Sequence, residues 1–215
     1  MSTIRGCIFD LDGVIVDTAK YHYLAWKRLA EELGFDFTLK DNERLKGVSR
    51  MASLEILLEV GGLSFDEKTK LALAAKKNGW YIEYISAMKE DEILPGVKIF
   101  LDKVRTAGVK IALGSASKNA LTILTNLKLT KLFDAIIDGN KVSKAKPDPE
   151  VFLLAAQELG IEPQYCVVFE DAKAGVEAAK MAGMKCIGAG TNSELSGADF
   201  TIQGFENIGL EVLDF

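Results

Sequence analysis

Two aspartates two residues apart, Asp10 and Asp12, stand just before Gly13 and offer this chain its first paired carboxylates. Residues 4–9 are apolar and β-prone and read as a short buried strand, so both acids fall past its end. Alternate side chains of an extended segment point to one side, which lets the two carboxylates face a common space. Carboxylates this close repel unless a proton or cation joins them, and a hard divalent ion suits oxygen ligands. Three more polar clusters follow apolar runs in the same way: Ser115-Ala116-Ser117-Lys118-Asn119, the lysines of 144–146 before Pro147, and Glu170-Asp171.

The elements that must position these clusters are strands expected at 4–9, 109–113, 135–137, 166–169, 185–187 and 200–202. Helices expected at 96–106, from about 118, at 149–159 and at 174–181 alternate with them. Such alternation predicts an α/β fold, a doubly wound, Rossmann-like parallel sheet covered on both faces. Parallel strands bring their C-terminal ends to one edge, which is where ligands bind.

Between 18 and 92 no strand is evident. One helix is expected from an Asp17 or Thr18 cap to 33, with Gly34 as its stop and His22, Trp26, Leu29, Ala30 and Leu33 as its buried stripe. A second covers 51–60, ended by Gly61-Gly62, and a third runs to about 88 from a Ser64/Glu67 capping box. The expected domains are therefore an α/β catalytic core of 1–15 and 93–215 and an inserted all-helical cap of 16–92.

Acids, a lysine and a hydroxyl loop at a helix start, gathered on one sheet edge, form a phosphoryl-transfer constellation. A carboxylate attacking a phosphate dianion meets charge repulsion, which Mg²⁺ and a lysine offset. Asp10 is the candidate nucleophile, forming an aspartyl-phosphate, and Asp12 the general acid and base for the leaving and entering hydroxyls. Asp171 with Glu170 would anchor the metal, while Ser115 and Lys146 take the phosphoryl oxygens.

Composition narrows the partners. The 215 residues are 48% hydrophobic with a net charge of −5, enough for a sizeable core and poorly suited to a nucleic-acid or anionic-membrane surface. A small anion in a local pocket remains compatible. Cys7, Cys166 and Cys186 lie far apart beside apolar residues, so reduced core thiols in a cytoplasmic protein are expected. Arg5 and Gly6 interrupt any signal-like start, and no apolar run reaches bilayer-spanning length. A monomer is expected, since no long apolar seam is left over.

Phe9-Asp10-Leu11-Asp12-Gly13, the Ser115 strand end, Lys146-Pro147-Asp148-Pro149 and Glu170-Asp171 together resemble the four motifs of the haloacid dehalogenase superfamily, across essentially the whole chain. The helical insert resembles that superfamily's small cap domain. Asp17-Thr18, His22, Trp26, Leu45-Lys46-Gly47-Val48-Ser49-Arg50 and the 115–119 loop further resemble the β-phosphoglucomutase subgroup. That subgroup interconverts β-glucose 1-phosphate and glucose 6-phosphate through a β-glucose 1,6-bisphosphate.

The resemblance implies Mg²⁺ among Asp10, the Asp12 main-chain carbonyl, Glu170 and Asp171. It implies catalytic positions at Thr18 and His22, with His22 tied to cap closure and to Asp12; Lys76 is a further cap-side candidate outside the matched segments. Arg50 would grip the non-transferring phosphate, with Trp26, Lys46, Gly47, Val48, Ser49 and Ser53 on the sugar side. Ser115, Ala116, Lys118 and Asn119 would line the phosphate and substrate path. Ala172 departs from the serine of many relatives, at a position that needs only backbone.

Other readings compete. Asp10-x-Asp12-Gly13 could open a calcium loop, but its twelfth position is Tyr21 rather than an acid. His22 could be a packed histidine, and Lys46 and Arg50 solvated loop charges. Gly188-Ala189-Gly190 lacks the third glycine of a dinucleotide turn and comes late in the chain. A sugar-phosphate phosphatase, with water as acceptor, is the alternative enzyme, and an inactive metal-dependent binding module the non-enzymatic one.

Overall fold

The computed structural model describes residues 4–45, 49–190 and 195–215. Among the described residues six parallel strands build one sheet: β1 (Gly6–Phe9), β2 (Lys110–Gly114), β3 (Ala135–Ile137), β4 (Cys166–Glu170), β5 (Lys185–Ala189) and β6 (Phe200–Ile202). Their order is β3-β2-β1-β4-β5-β6, the doubly wound arrangement expected from the alternation. The chain builds outward from β1 to β3, then returns to the other side of β1 with β4. The C-terminal end of β1 is thus a topological switch point, where crossovers leave to opposite faces and open a crevice.

The strands β1 and β4 are wholly buried, which is why they read as unbroken apolar runs. On one face Phe9 stacks on Phe169 with centroids 4.5 Å apart, and Phe100 meets Phe169 edge-on at 5.4 Å. The opposite face carries Ile8, Ala112 and Val168 beneath α7 (Glu150–Leu159) and α8 (Lys173–Met181). All three cysteines are free and buried, and no described helix is long and apolar enough to cross a membrane.

Contacts divide the chain into two compact units, Met1–Asp17 with Met88–Phe215, and Thr18–Ala87. In the first, the strand-like segments that leave and re-enter are joined: Val16 bridges both Asp12 and Ile93, and the Leu94 N–H donates to the Ile15 carbonyl. The second is helical, with α1 (Ala19–Glu32), α2 (Leu39–Glu43), α3 (Arg50–Gly61) and α4 (Glu67–Ser86). Its core includes Trp26, Leu29, Leu54, Leu57, Trp80 and Tyr81.

Local differences from expectation have local causes. The third long helix is capped by Asp66, whose carboxylate accepts the Thr69 N–H at 2.7 Å, rather than by Ser64. The short α2 was not expected; Thr38 and Asp41 cap it reciprocally, and none of its five residues is buried, so it leaves no hydrophobic period. The helix after β2, α6 (Ala120–Asn126), starts two residues later than expected. Serine hydroxyls occupy the turn before it: Ser115 Oγ accepts from the Ser117 N–H and Ser117 Oγ from the Asn119 N–H.

Candidate active site

The backbone carries Asp10 one step beyond β1, where its N–H still donates to the Phe169 carbonyl of β4. β4 ends in Glu170 and continues into Asp171. Asp10, Glu170 and Asp171 each offer a carboxylate oxygen, and these atoms lie within 4.8 Å of one another. From the loop before α7, Lys146 reaches into the group, its Nζ 2.6 Å from both Asp10 Oδ1 and Glu170 Oε1. The lysine side chain is 11% exposed and that of Glu170 2%.

Electrostatics follow from that enclosure. Burial alone would push the Lys146 ammonium down, but the carboxylates of Asp10 and Glu170 reverse this and hold its pKa above the usual lysine value. Burial raises Glu170, with Lys146 opposing. Burial, followed by the charges of Glu170, Asp10 and Asp12, pushes Asp171 up to about 7. One lysine does not neutralise three clustered acids, of which Asp10 and Glu170 are buried and Asp171 half-buried, so the donor set fits a divalent cation bound through oxygen.

Two glycines set how tightly the acids can close. A Cβ on Gly175 of α8 would lie 1.9 Å from Glu170 Oε1, and one on Gly13, at φ +75°, would lie 2.0 Å from Asp171 Oδ2. Either substitution needs the space a carboxylate already fills. Glu170 is also fixed by the Ala172 N–H at 2.9 Å, which is the backbone role expected of position 172.

At the neighbouring strand end, Ser115 is buried and its N–H donates to the Ile137 carbonyl at 3.0 Å. The 115–119 loop is clasped by the turn after β3. Asn140 Nδ2 donates to the Lys118 carbonyl at 2.9 Å, and buried Asp138 accepts from the Asn140 N–H at 2.9 Å. A Cβ on Gly139 would sit 2.1 Å from the Ala116 carbonyl oxygen, so only glycine allows the approach. Ala116 and Lys118 are thereby presented exposed, and Asn119 half-buried, on a loop held by these contacts.

The other expected positions belong to the helical unit. Thr18 is the buried N-cap of α1, Ser49 caps α3 by accepting from the Ala52 N–H, and Ser53 and Trp26 are buried. Arg50, the first residue of α3, is exposed. Lys46, Gly47 and Val48 lie outside the described residues.

His22 stacks on Tyr81 at 4.0 Å, with Nδ1 2.9 Å from Lys77 Nζ. His22 is an exposed residue, not a member of the buried α1 stripe as expected, and Leu33 is only half-buried, because the stripe is confined to Ala25, Trp26, Leu29 and Ala30. Desolvation of the ring against Tyr81, then the charges of Lys77 and Arg50, lowers the His22 pKa to about 3. The neighbouring ammonium favours the neutral imidazole. Sequence reasoning named Lys76 as a further cap-side candidate and did not single out Lys77, which at 2% exposed is the buried lysine. Its ammonium lies 4.5 Å over Trp26, and burial followed by Arg50 lowers its pKa to about 7. Lys76 is exposed and pairs with Glu32. Helical period could have found the difference, since Lys77 lies on the Ala74, Tyr81 and Ile85 stripe and Lys76 does not.

Comparison with known proteins matches residues 7–189 to the family described as haloacid dehalogenase-like hydrolase. The chain is 42% identical to a protein named beta-phosphoglucomutase from Bacillus subtilis, over 98% of this chain and 94% of that one. It is 38% identical, over 86% and 84%, to a phosphorylated carbohydrates phosphatase from Thermotoga maritima. A crystal structure of beta-phosphoglucomutase from Clostridium difficile superposes with a TM-score of 0.86 at 42% identity, covering 98% of this chain and 95% of that one. With the acid triad and its lysine at the switch point and the match spanning most of the sequence, the chain belongs to the haloacid dehalogenase-like hydrolase family.

Proposed function

We propose that this enzyme is a β-phosphoglucomutase, interconverting β-D-glucose 1-phosphate and glucose 6-phosphate by way of an aspartyl-phosphate and β-glucose 1,6-bisphosphate. The observation that carries the chemistry is the pairing of Asp10 with Lys146 beside Glu170 and Asp171. The cluster suits a nucleophilic carboxylate held next to a cation that can accept phosphoryl oxygens.

In the forward direction the phosphoryl group on Asp10 passes to the C6 hydroxyl of glucose 1-phosphate, and Asp12 accepts the hydroxyl proton. The bisphosphate then presents its C1 phosphate. An Asp10 oxygen attacks phosphorus, the C1 oxygen leaves with the proton from Asp12, and glucose 6-phosphate departs with Asp10 phosphorylated again. Lys146 and Ser115 hold the oxygens of the group in transit. Asp10, Glu170, Asp171 and the Asp12 main-chain carbonyl would hold Mg²⁺, which when bound offsets the charge between carboxylate and phosphate. Gly175→Ala should therefore weaken apparent Mg²⁺ affinity by about 10–100-fold, by displacing Glu170. Magnesium titration of activity checks this; an unchanged midpoint would remove Glu170 from the metal site.

A mutase must also retain a second phosphate. The helical unit offers Arg50 for it, exposed at the start of α3. Its charge adds to burial in lowering the Lys77 pKa and also acts on His22, and an anion beside Arg50 would offset that repulsion. We assign the non-transferring phosphate to Arg50 of the helical unit, and the phosphate and substrate path of the α/β unit to Ser115, Ala116, Lys118 and Asn119. Trp26, Ser49 and Ser53 are assigned to the sugar.

The 38% identity to a carbohydrate phosphatase favours a second reading, with water as the acceptor. Supplying Mg²⁺, β-glucose 1-phosphate and a trace of bisphosphate, then measuring glucose 6-phosphate and free phosphate separately, decides between them. Isomerisation should outrun phosphate release; the reverse ratio establishes the phosphatase. In the mutase, Arg50→Ala should lower turnover of the phosphosugar more than that of acetyl phosphate, and equal losses would remove Arg50 from the substrate.

A further inference from the structure

Lys146 sits on a loop with no strand or helix of its own, yet it must present one ammonium to two buried carboxylates. The loop is closed on itself by the first residue of α7. The Glu150 carboxylate accepts from the Lys144 N–H at 2.7 Å, from the Ser143 N–H at 2.9 Å and from Ser143 Oγ at 3.0 Å. The Glu150 N–H in turn donates to Asp148 Oδ1 at 3.0 Å, and the Asp148 N–H to the Ala145 carbonyl at 3.0 Å. Asp148 Oδ2 lies 3.2 Å from Lys144 Nζ. Both ends of the 143–150 segment are therefore stitched together, with Lys146 between them.

The anchor is rigid. Val151, Phe152, Ala155 and Ala156 bury α7 against the sheet, and the Phe152 ring lies beneath the Lys146 ammonium at 4.7 Å. One helix thus provides both the floor under the lysine and the carboxylate that closes its loop. Hydrogen bonds to a charged acceptor are about twice as strong as neutral ones, and a carboxylate in the first helical turn is favoured by the helix dipole.

We propose that Glu150 is the positioning residue for Lys146. It acts through the backbone of 143–144 and touches neither substrate nor the reacting atoms. This rests on the reading of Lys146 as the group that receives phosphoryl oxygens. Nothing in the linear motif marks Glu150, because its role depends on the chain folding back seven residues.

The test uses acetyl phosphate and Mg²⁺, a donor without sugar, so it does not depend on which acceptor the enzyme prefers. Glu150→Ala should lower kcat for acetyl phosphate on the order of 10²-fold, the scale of a misplaced reacting partner, with KM changed much less. A second readout reports position directly: the ¹⁵N signal of the Lys146 ammonium, assigned by its loss in Lys146→Met, should shift or broaden. Glu150→Gln, which keeps the side-chain volume but turns N–H groups toward donors, should move the same signal and lower kcat less. Native kcat in Glu150→Ala, or a Lys146 signal unmoved in either folded variant, would overturn the proposal. A Lys146→Met enzyme that turns over acetyl phosphate normally would instead strike down the reading beneath it.

Discussion

Asp10→Asn should abolish turnover, lowering kcat by about 10⁴–10⁶-fold, the scale seen when an enzyme loses its nucleophile. The substitution conserves shape. It replaces the carboxylate that accepts from Lys146 with an amide, which can still occupy the end of β1 but cannot form the acyl phosphate. Glu170 remains within 2.6 Å of Lys146, so the lysine keeps a partner and the fold has no reason to open. Isomerisation and phosphate release should fall together, because both draw on the same phosphoenzyme. Rapid quenching with labelled phosphosugar gives the sharper check: label should be found on the native protein and be absent from the variant. Label retained on Asp10→Asn protein would move the nucleophile elsewhere. Asp12 differs in kind, since removing an acid–base group costs typically 10²–10⁴-fold and leaves the phosphorylated aspartate able to form.

Much of this site was legible in the chain because of how parallel sheets are built. Buried on both faces, β1 and β4 are continuous apolar words, and each polar residue that follows stands out as a strand end. Asp10, Ser115, Glu170 and Asp171 could therefore be assigned to one sheet edge without coordinates. The residues that hold them were hidden for a different reason. Gly175 is required by Glu170, Gly139 by the Ala116 carbonyl, and Asn140 by Lys118, all across gaps in sequence that no period records. Lys77 was recoverable, since it falls on the buried stripe of α4 beside Trp80 and Tyr81; a lysine on such a stripe departs from pattern, and the departure is the signal. Asp66 displaced Ser64 as a cap because an aspartate immediately before the helix reaches the Thr69 N–H directly.

Lys146→Met should damage stability and chemistry at once, and the two losses should respond differently to metal. The lysine neutralises Asp10 and Glu170 in a region where its own side chain is 11% exposed and that of Glu170 2%. Removing one partner of a buried pair strands the charge left behind, which costs about 3–5 kcal/mol. Methionine fills the volume over Phe152, so cavity formation adds little and the loss reports charge. A divalent cation bound by the three acids takes over part of that neutralisation, and its binding stabilises the folded state by mass action. Thermal melts should therefore show a large drop for Lys146→Met without Mg²⁺ and a gain on adding Mg²⁺ greater than the native protein's. Activity should not recover in step. Loss of a donor aimed at a phosphoryl oxygen costs on the order of 10²–10³-fold in kcat, and metal cannot replace a hydrogen bond from that side. A variant that melts like the native protein in the absence of Mg²⁺ would mean that the acids are satisfied without Lys146, and a variant whose kcat returns with Mg²⁺ would reduce the lysine to a structural counterion.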